Sequence, residues 1–229
     1  MRNGWSTYLQ HIKHNVSFLD KILAIVAPHD CLACQTEGSL LCMSCLDLLP
    51  SVPPKQLSGS DLEVVRSATV YGTVAKDLIW KLKSSGAQEV AKIMARLMFK
   101  LLPPIQNGLI VPVPTASSRV RRRGYDQSRL IARELSRQSR LPYLNCLKRQ
   151  GQAHQVGASR EQRRDQLRGA FRVKHSSLLQ NAHIILIDDV VTTGATLESA
   201  ASYLKRAGAA RIEAITFAQP QMRNSTSNQ

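Results

Sequence analysis

Apolar residues recur along this chain with two periods, and the switches between them mark out its elements. Over residues 1–27, Trp5, Tyr8, Leu9, Ile12, Val16, Leu19, Leu23 and Val26 return at steps of three and four. That spacing predicts an amphipathic helix, packed on its own domain or, alternatively, docked on a partner. Clustered cysteines at 31–45 break the pattern, and the Pro- and Ser-rich LPSVPPKQLSGS after them reads as a linker. Strand-like and helix-like runs then alternate. VVRSATVY is a strand that Gly72 ends, TVAKDLIWKLKSS and QEVAKIMARLMFKLL are helices, and GLIVPVP is a strand closed by prolines. SRLIARELSRQ is a helix and HIILIDD a buried strand. ATLESAASYLKRAG is a helix stopped by Gly208, and RIEAITFAQ is a last strand.

This alternation predicts an α/β fold with a mostly parallel sheet flanked by helices. The organisation expected is an N-terminal helix and cysteine module over 1–50, an α/β domain over 51–220, and a disordered polar tail over 221–229. A hydrophobic content of 43% over 229 residues allows one sizeable core plus an accessory piece. The longest apolar run near the N-terminus, ILAIVA, is too short for a signal core or a membrane span. The expectation is a cytoplasmic protein with no membrane insertion.

Four of the five cysteines lie in one cluster, Cys31-x2-Cys34 and Cys42-x2-Cys45, with Cys146 apart. Two such pairs on short turns can place four thiolates around a tetrahedral ion, and Zn²⁺ favours that geometry at about 2.3 Å per sulfur. Gly38 lets the chain turn back between the pairs. Four protein sulfurs leave no open position, so the zinc is structural. Two disulfides are the alternative, which the missing secretory signal disfavours.

The net charge of +15 changes the picture, because an ordinary metabolic enzyme does not need it. Between Ser117 and Lys174 stand sixteen Lys/Arg against four Asp/Glu, so +12 of the excess is concentrated there. Arg129, Arg133, Arg137 and Arg140 recur at helical spacing, and Arg160, Arg163, Arg164 and Arg168 form a second cluster. Arg121, Arg122 and Arg123 precede both. A solvated face is the plain reading. The concentration points instead to a nucleic-acid backbone, with Tyr125, Tyr143 and Phe171 placed to stack bases. No base-reading motif is visible, so binding is expected to follow phosphates.

The strand HIILIDD ends in two adjacent carboxylates, Asp188 and Asp189, and VVTTGAT follows. In open α/β sheets, ligands bind beyond the carboxyl ends of strands. Paired carboxylates there can hold a sugar's vicinal hydroxyls or a hydrated Mg²⁺. The loop offers backbone N–H groups, three threonine hydroxyls and a glycine, then opens a helix: the parts of a phosphate cradle. Together they make a ribose 5-phosphate site.

ILIDDVVTTGATL resembles the phosphoribosyl pyrophosphate (PRPP) motif of type I phosphoribosyltransferases. The resemblance implies that fold, with Asp188 and Asp189 as the catalytic pair on the ribose 2′- and 3′-hydroxyls. It implies that Thr192, Thr193, Gly194, Ala195 and Thr196 wrap the 5′-phosphate. By the same analogy VPVPTASSR is the pyrophosphate loop, with Thr115, Ser117, Ser118 and Arg119 as its contacts. Val120–Gln127 is then a mobile hood, and Lys81 and Lys83 are weaker candidates for the same charge. The order of the four-cysteine module, YGTVAKDLIWKLK, VPVPTASSRVRRRGYDQS, AHQVGASREQRRDQLRGAF and the PRPP motif is similar to the competence protein ComF family (ComFC or GntX-like) over residues 20–218. That family implies a DNA-uptake factor binding single-stranded DNA and PRPP with Mg²⁺, partnered by a competence helicase or other DNA-processing protein. An active phosphoribosyltransferase acting on an unidentified base or amine is the alternative. Two departures stand out: Asp126 where the family usually has Asn, which adds a negative charge near the site, and Gln166 where it usually has Asn.

Overall fold

The structure is a computed structural model, and it describes residues 30–84, 87–105, 108–150 and 170–221. The expected N-terminal helix, the arginines at 160–168 and most of the tail fall outside them. The chain divides after Leu48 into two compact units.

In the first unit, Asp30 bridges Glu37 and the chain doubles back. Gln35 and Gly38 take left-handed backbone angles, φ 61° and 111°. Cys42 caps helix α1 (Met43–Asp47). Among its described residues, the buried apolar side chains are Cys31, Leu40, Leu41 and Leu46.

The second unit carries a five-stranded sheet. Strands β2 (Val64–Val70), β3 (Gly108–Pro112), β6 (His183–Val190) and β7 (Arg211–Gln219) are parallel, in the order β2-β7-β6-β3. A short β1 (Lys55–Gln56) adds antiparallel beside β2. In β6, Ile184 to Ile187 are all fully buried, as befits a central parallel strand covered on both faces. Ile184 and Leu186 join Ile212 and Ala214 of β7 in a cluster with Leu197, Ala200, Ala201 and Leu204 of helix α6 (Ala195–Arg206). The alternate residues face the other side. There α5 (Gln127–Ser139) covers β3 and β6 and packs on α3 (Ala87–Phe99), which contacts α2 (Thr73–Ser84). Every strand and helix expected between 64 and 219 is present.

Besides α1 and β1, four elements were not foreseen. Part of the expected hood is helical: Ser117–Arg123 form helix α4, stopped by Gly124 at φ 81°. Leu147–Arg149 (β4) and Phe171–Val173 (β5) pair as an antiparallel ribbon, too short to show a period. Ser176–Leu179 form a 3₁₀ turn.

At the amino ends of the parallel strands lies Glu213, 0% exposed. It pairs with Arg66, with His183 Nε2 at 3.1 Å and with Arg211 Nη2 at 3.1 Å. Three neighbours from three strands offset the burial of one carboxylate. Only Glu213 is fully buried: Arg66 and His183 keep some exposure, and Arg211 also pairs with Glu63 Oε2 at 2.9 Å, so losing the carboxylate costs these partners about 1–3 kcal/mol. Glu213→Ala is therefore expected to lower unfolding free energy by that amount in urea titrations.

Candidate ribose-phosphate site

Pro112 of β3 pairs with Ile187 of β6, and the Val113 N–H donates to Ile187 O at 2.9 Å. The loops after these neighbouring strands therefore leave the sheet side by side. The site is built from them and from the start of α5.

Asp188 Oδ1 accepts from Ser128 Oγ at 2.8 Å and from the Asp189 N–H at 2.9 Å. Asp189 Oδ1 accepts from the Val190 N–H at 2.8 Å, and its Oδ2 faces Lys83 Nζ at 3.1 Å. Burial pushes the Asp188 carboxyl up to about 8, and the neighbouring Asp189 charge adds to it. The Ser128 hydroxyl and Asp189 amide offset this only in part. The pair thus holds a proton near neutrality that a bare aspartate would have lost.

Beyond β6, Val191 is buried and its N–H donates to Ala218 O at 3.0 Å. Thr192 and Thr193 follow, exposed. Gly194 caps α6 at φ 84°, a left-handed angle that a side chain would strain. Its carbonyl accepts from the Glu198 N–H at 2.9 Å, and Thr193 Oγ1 accepts from the Ala195 N–H at 3.4 Å. Threonine hydroxyls and the first amides of a twelve-residue helix are thus gathered beside the carboxylates.

The loop after β3 is fixed by Asp126, only 5% exposed. Its Oδ2 accepts from the Thr115 N–H at 3.0 Å, and its Oδ1 from Thr115 Oγ1 at 3.1 Å. It also caps α5 through the Arg129 N–H at 3.4 Å. Both carboxylate oxygens are used, whereas an asparagine offers one acceptor. The charge difference at this position therefore shapes the loop. It also takes the Thr115 donors that the sequence assigns to a diphosphate. Ser117 and Ser118 lie exposed at the start of α4.

Sequence reasoning missed Ser128, which reads there as an ordinary helix-start serine. It ranked Lys83 low, although a lysine near a helix end can reach a neighbouring strand terminus. Tyr125 links the same parts, its hydroxyl donating to Leu82 O at 2.7 Å.

In the first unit, the sulfurs of Cys31, Cys34, Cys42 and Cys45 all lie within 4.8 Å of one another. The Cys42 N–H donates to Cys31 Sγ at 3.5 Å. Cys34 and Cys42 push the Cys45 thiol up to about 12. Four convergent sulfurs crowd one another as thiolates, a conflict that a divalent cation relieves. The donor set fits a metal ion.

The basic region is less uniform than its sequence. Arg129 Nε pairs with Asp126 Oδ2 at 3.6 Å, and Arg137 Nη2 with Glu134 Oε1 at 2.6 Å. Arg121, Arg122, Arg133 and Arg140 are exposed, with the Arg133 guanidinium 5.6 Å from the Tyr143 ring centroid. Phe171 corrects the sequence reading: it is a core residue, edge-on to Tyr203 at 6.0 Å, and cannot stack a base. The ribbon adds charge instead. Lys148 and Arg172 are directly opposed and exposed, and Lys174 shares their face. Like charges across a ladder repel, so the pair adds positive charge to this face at some cost to the ribbon's own stability. Among the described residues, no helix is long and apolar enough to cross a membrane.

The phosphoribosyl transferase domain family matches residues 84–227. With a mostly parallel sheet and a carboxylate–threonine loop at its carboxyl edge, the chain is a protein of the type I phosphoribosyltransferase-domain class. The DNA utilization protein YhgH of Escherichia coli (strain K12) is 33% identical over 196 residues, covering 78% of this chain and 77% of that protein. Competence protein ComFC of Bacillus subtilis (strain 168) is 31% identical over 158 residues, covering 66% and 62%. Competence protein F of Haemophilus influenzae is 37% identical over 107 residues, covering 45% and 47%. The chain belongs to the ComF family.

Proposed function

We propose that this protein is a cytoplasmic DNA-uptake factor that holds PRPP over the carboxyl ends of β3 and β6 and binds single-stranded DNA on its basic surfaces. The observation that carries this reading is the pair Asp188 and Asp189 beside the threonine loop and the amino end of α6. In this reading the carboxylates take the ribose 2′- and 3′-hydroxyls. Thr192, Thr193, Gly194, Ala195 and Thr196 close on the 5′-phosphate. Ser117, Ser118 and Arg119 are assigned to the diphosphate, and Asp126 holds Thr115 so that the loop keeps its shape. Bound Mg²⁺ supplies positive charge to the diphosphate. The four cysteines hold one structural Zn²⁺. The names of the relatives support the DNA role, and a helicase or other DNA-processing protein is the expected partner.

A second reading, an active phosphoribosyltransferase, is favoured by one feature. Burial raises the Asp188 carboxyl to about 8, so it can gain and lose a proton close to neutral pH, as an acid–base group serving an incoming base or amine must. The two readings part when the protein is incubated with Mg-PRPP, with and without DNA and candidate acceptors. PRPP bound without pyrophosphate release supports the uptake factor. Acceptor-dependent release establishes the enzyme. Failure to bind PRPP overturns both.

The DNA arm has its own test. Each neutralised phosphate on a single strand contributes about −0.7 to the slope of log K against log salt. Arg129 and Arg137 already face carboxylates, so Arg133→Glu with Arg140→Glu is expected to weaken binding more than Arg129→Glu with Arg137→Glu. Lys148→Glu is expected to act like the stronger pair. Fluorescence anisotropy across a salt series reads the difference. Equal effects would mean that these side chains do not follow the strand.

A further inference from the structure

Helix α2 carries a feature that the ribose-phosphate site does not use. Its buried side, Ala75, Leu78, Ile79 and Leu82, faces the core. On its outer side Trp80 is 66% exposed. The residues one turn away from it are Lys76, Asp77, Lys83 and Ser84. A helix that docks on a protein groove presents apolar anchors at these positions. Here a single indole stands between two lysines, an acid and a hydroxyl.

The neighbourhood extends in both directions. At the amino end, Lys76 Nζ lies 5.7 Å from the ring centroid of Tyr71, itself 40% exposed. At the other end, Lys83 Nζ reaches Asp189 at 3.1 Å, and the Leu82 carbonyl receives the Tyr125 hydroxyl. Lys76 and Lys83 are separated by about 10 Å along the helix axis, at 1.5 Å per residue. Aromatic faces alternating with cations are what a single strand requires: bases stack on the rings and phosphates meet the charges. An isolated lysine row would serve any anion, and an isolated indole any apolar surface.

We propose that Trp80, flanked by Tyr71, Lys76 and Lys83 on the outer face of α2, is a base-stacking platform for single-stranded nucleic acid leading to the edge of the ribose-phosphate site. It rests on the DNA-binding reading above and assigns that reading a location. Specificity for sequence is absent, since every base offers a π-face. The track ends at Asp189, so a strand on the platform places a nucleotide beside the pocket.

The test uses the full chain with Trp5→Phe, which leaves Trp80 as its single tryptophan. Oligothymidylate is titrated while anisotropy of a label on the DNA and Trp80 emission are read together, with inorganic polyphosphate as a polyanion without bases. The expected result is quenching of Trp80 by the oligonucleotide but not by polyphosphate. Trp80→Ala is expected to weaken DNA binding about five- to a hundred-fold, with the salt slope unchanged and Mg-PRPP affinity retained. Trp80→Phe should recover part of the loss. If anisotropy reports binding while Trp80 stays silent, or Trp80→Ala binds like the parent, the platform is overturned and the DNA-binding reading stands. If anisotropy reports no binding, both fall. If Trp80 of the free protein is shielded from acrylamide, another part of the chain covers it, which also overturns the platform.

Discussion

Replacing Asp188 and Asp189 together with Asn is expected to abolish PRPP binding while leaving the fold intact. The amide introduced at position 188 keeps an oxygen to accept from Ser128 and from the backbone N–H at 189, the two hydrogen bonds Asp188 makes now. The folded chain already favours the uncharged acid at 188, so an amide imitates its neutral form. At 189 the change removes a carboxylate that faces Lys83, a partly exposed pair whose removal costs little. Ligand recognition is another matter. Ribose hydroxyls donate to carboxylates, and charge-assisted bonds are about twice as strong as neutral ones. Weakening both of these bonds implies a fall of more than about a hundred-fold in affinity. Thermal shift reads both parts: a midpoint without ligand no lower than that of the parent, and no rise with Mg-PRPP. A rise equal to that of the parent would move the sugar elsewhere.

The same residue gives a pH signature. A carboxyl whose folded pKa is raised binds a proton that the unfolded chain has released. Its contribution to stability is full below the ordinary carboxylate pKa and is lost as pH rises toward 8. The stability of the parent is expected to decline between about pH 4 and 8 relative to Asp188→Asn, and chemical denaturation across that range measures the gap.

The second large effect concerns the metal. Residues 30–48 bury four apolar side chains, Cys31 among them, too few to hold a fold of this length without a staple. Binding free energy for structural zinc in small modules is of the order of 10 kcal/mol. Purified protein is expected to contain about one Zn²⁺ per chain. Cys42→Ser removes one sulfur, together with its approach to Cys34 at 3.7 Å, and should unfold this unit and lower solubility. The effect on PRPP affinity should be smaller, because the proposed site lies wholly in the second unit. Metal analysis and circular dichroism before and after chelation test this. Reduced, folded protein containing no metal would contradict it.

The parts legible in sequence were those set by local rules. Buried parallel strands read as apolar runs, helices as three- and four-residue recurrence, and the cysteine spacing pointed to convergent sulfurs that the structure brings together. Long-range pairing was not legible. That Ser128 meets Asp188, or Lys148 opposes Arg172, depends on which strands and helices become neighbours. Phe171 looked like a stacking ring because it stood among arginines, yet a three-residue strand turned it into the core. Asp126 showed its charge in sequence but not its two ties to Thr115, which lies eleven residues earlier.

Calorimetric titration of the full chain with Mg-PRPP at pH 6, 7 and 8, in buffers of differing ionisation enthalpy, shows whether Asp188 and Asp189 receive the ribose. One site per chain is expected, with affinity rising toward pH 8 and a proton released to the buffer as Asp188 ionises to receive the ribose hydroxyls. No heat of binding at any pH, or binding of unchanged affinity without proton release, would contradict it.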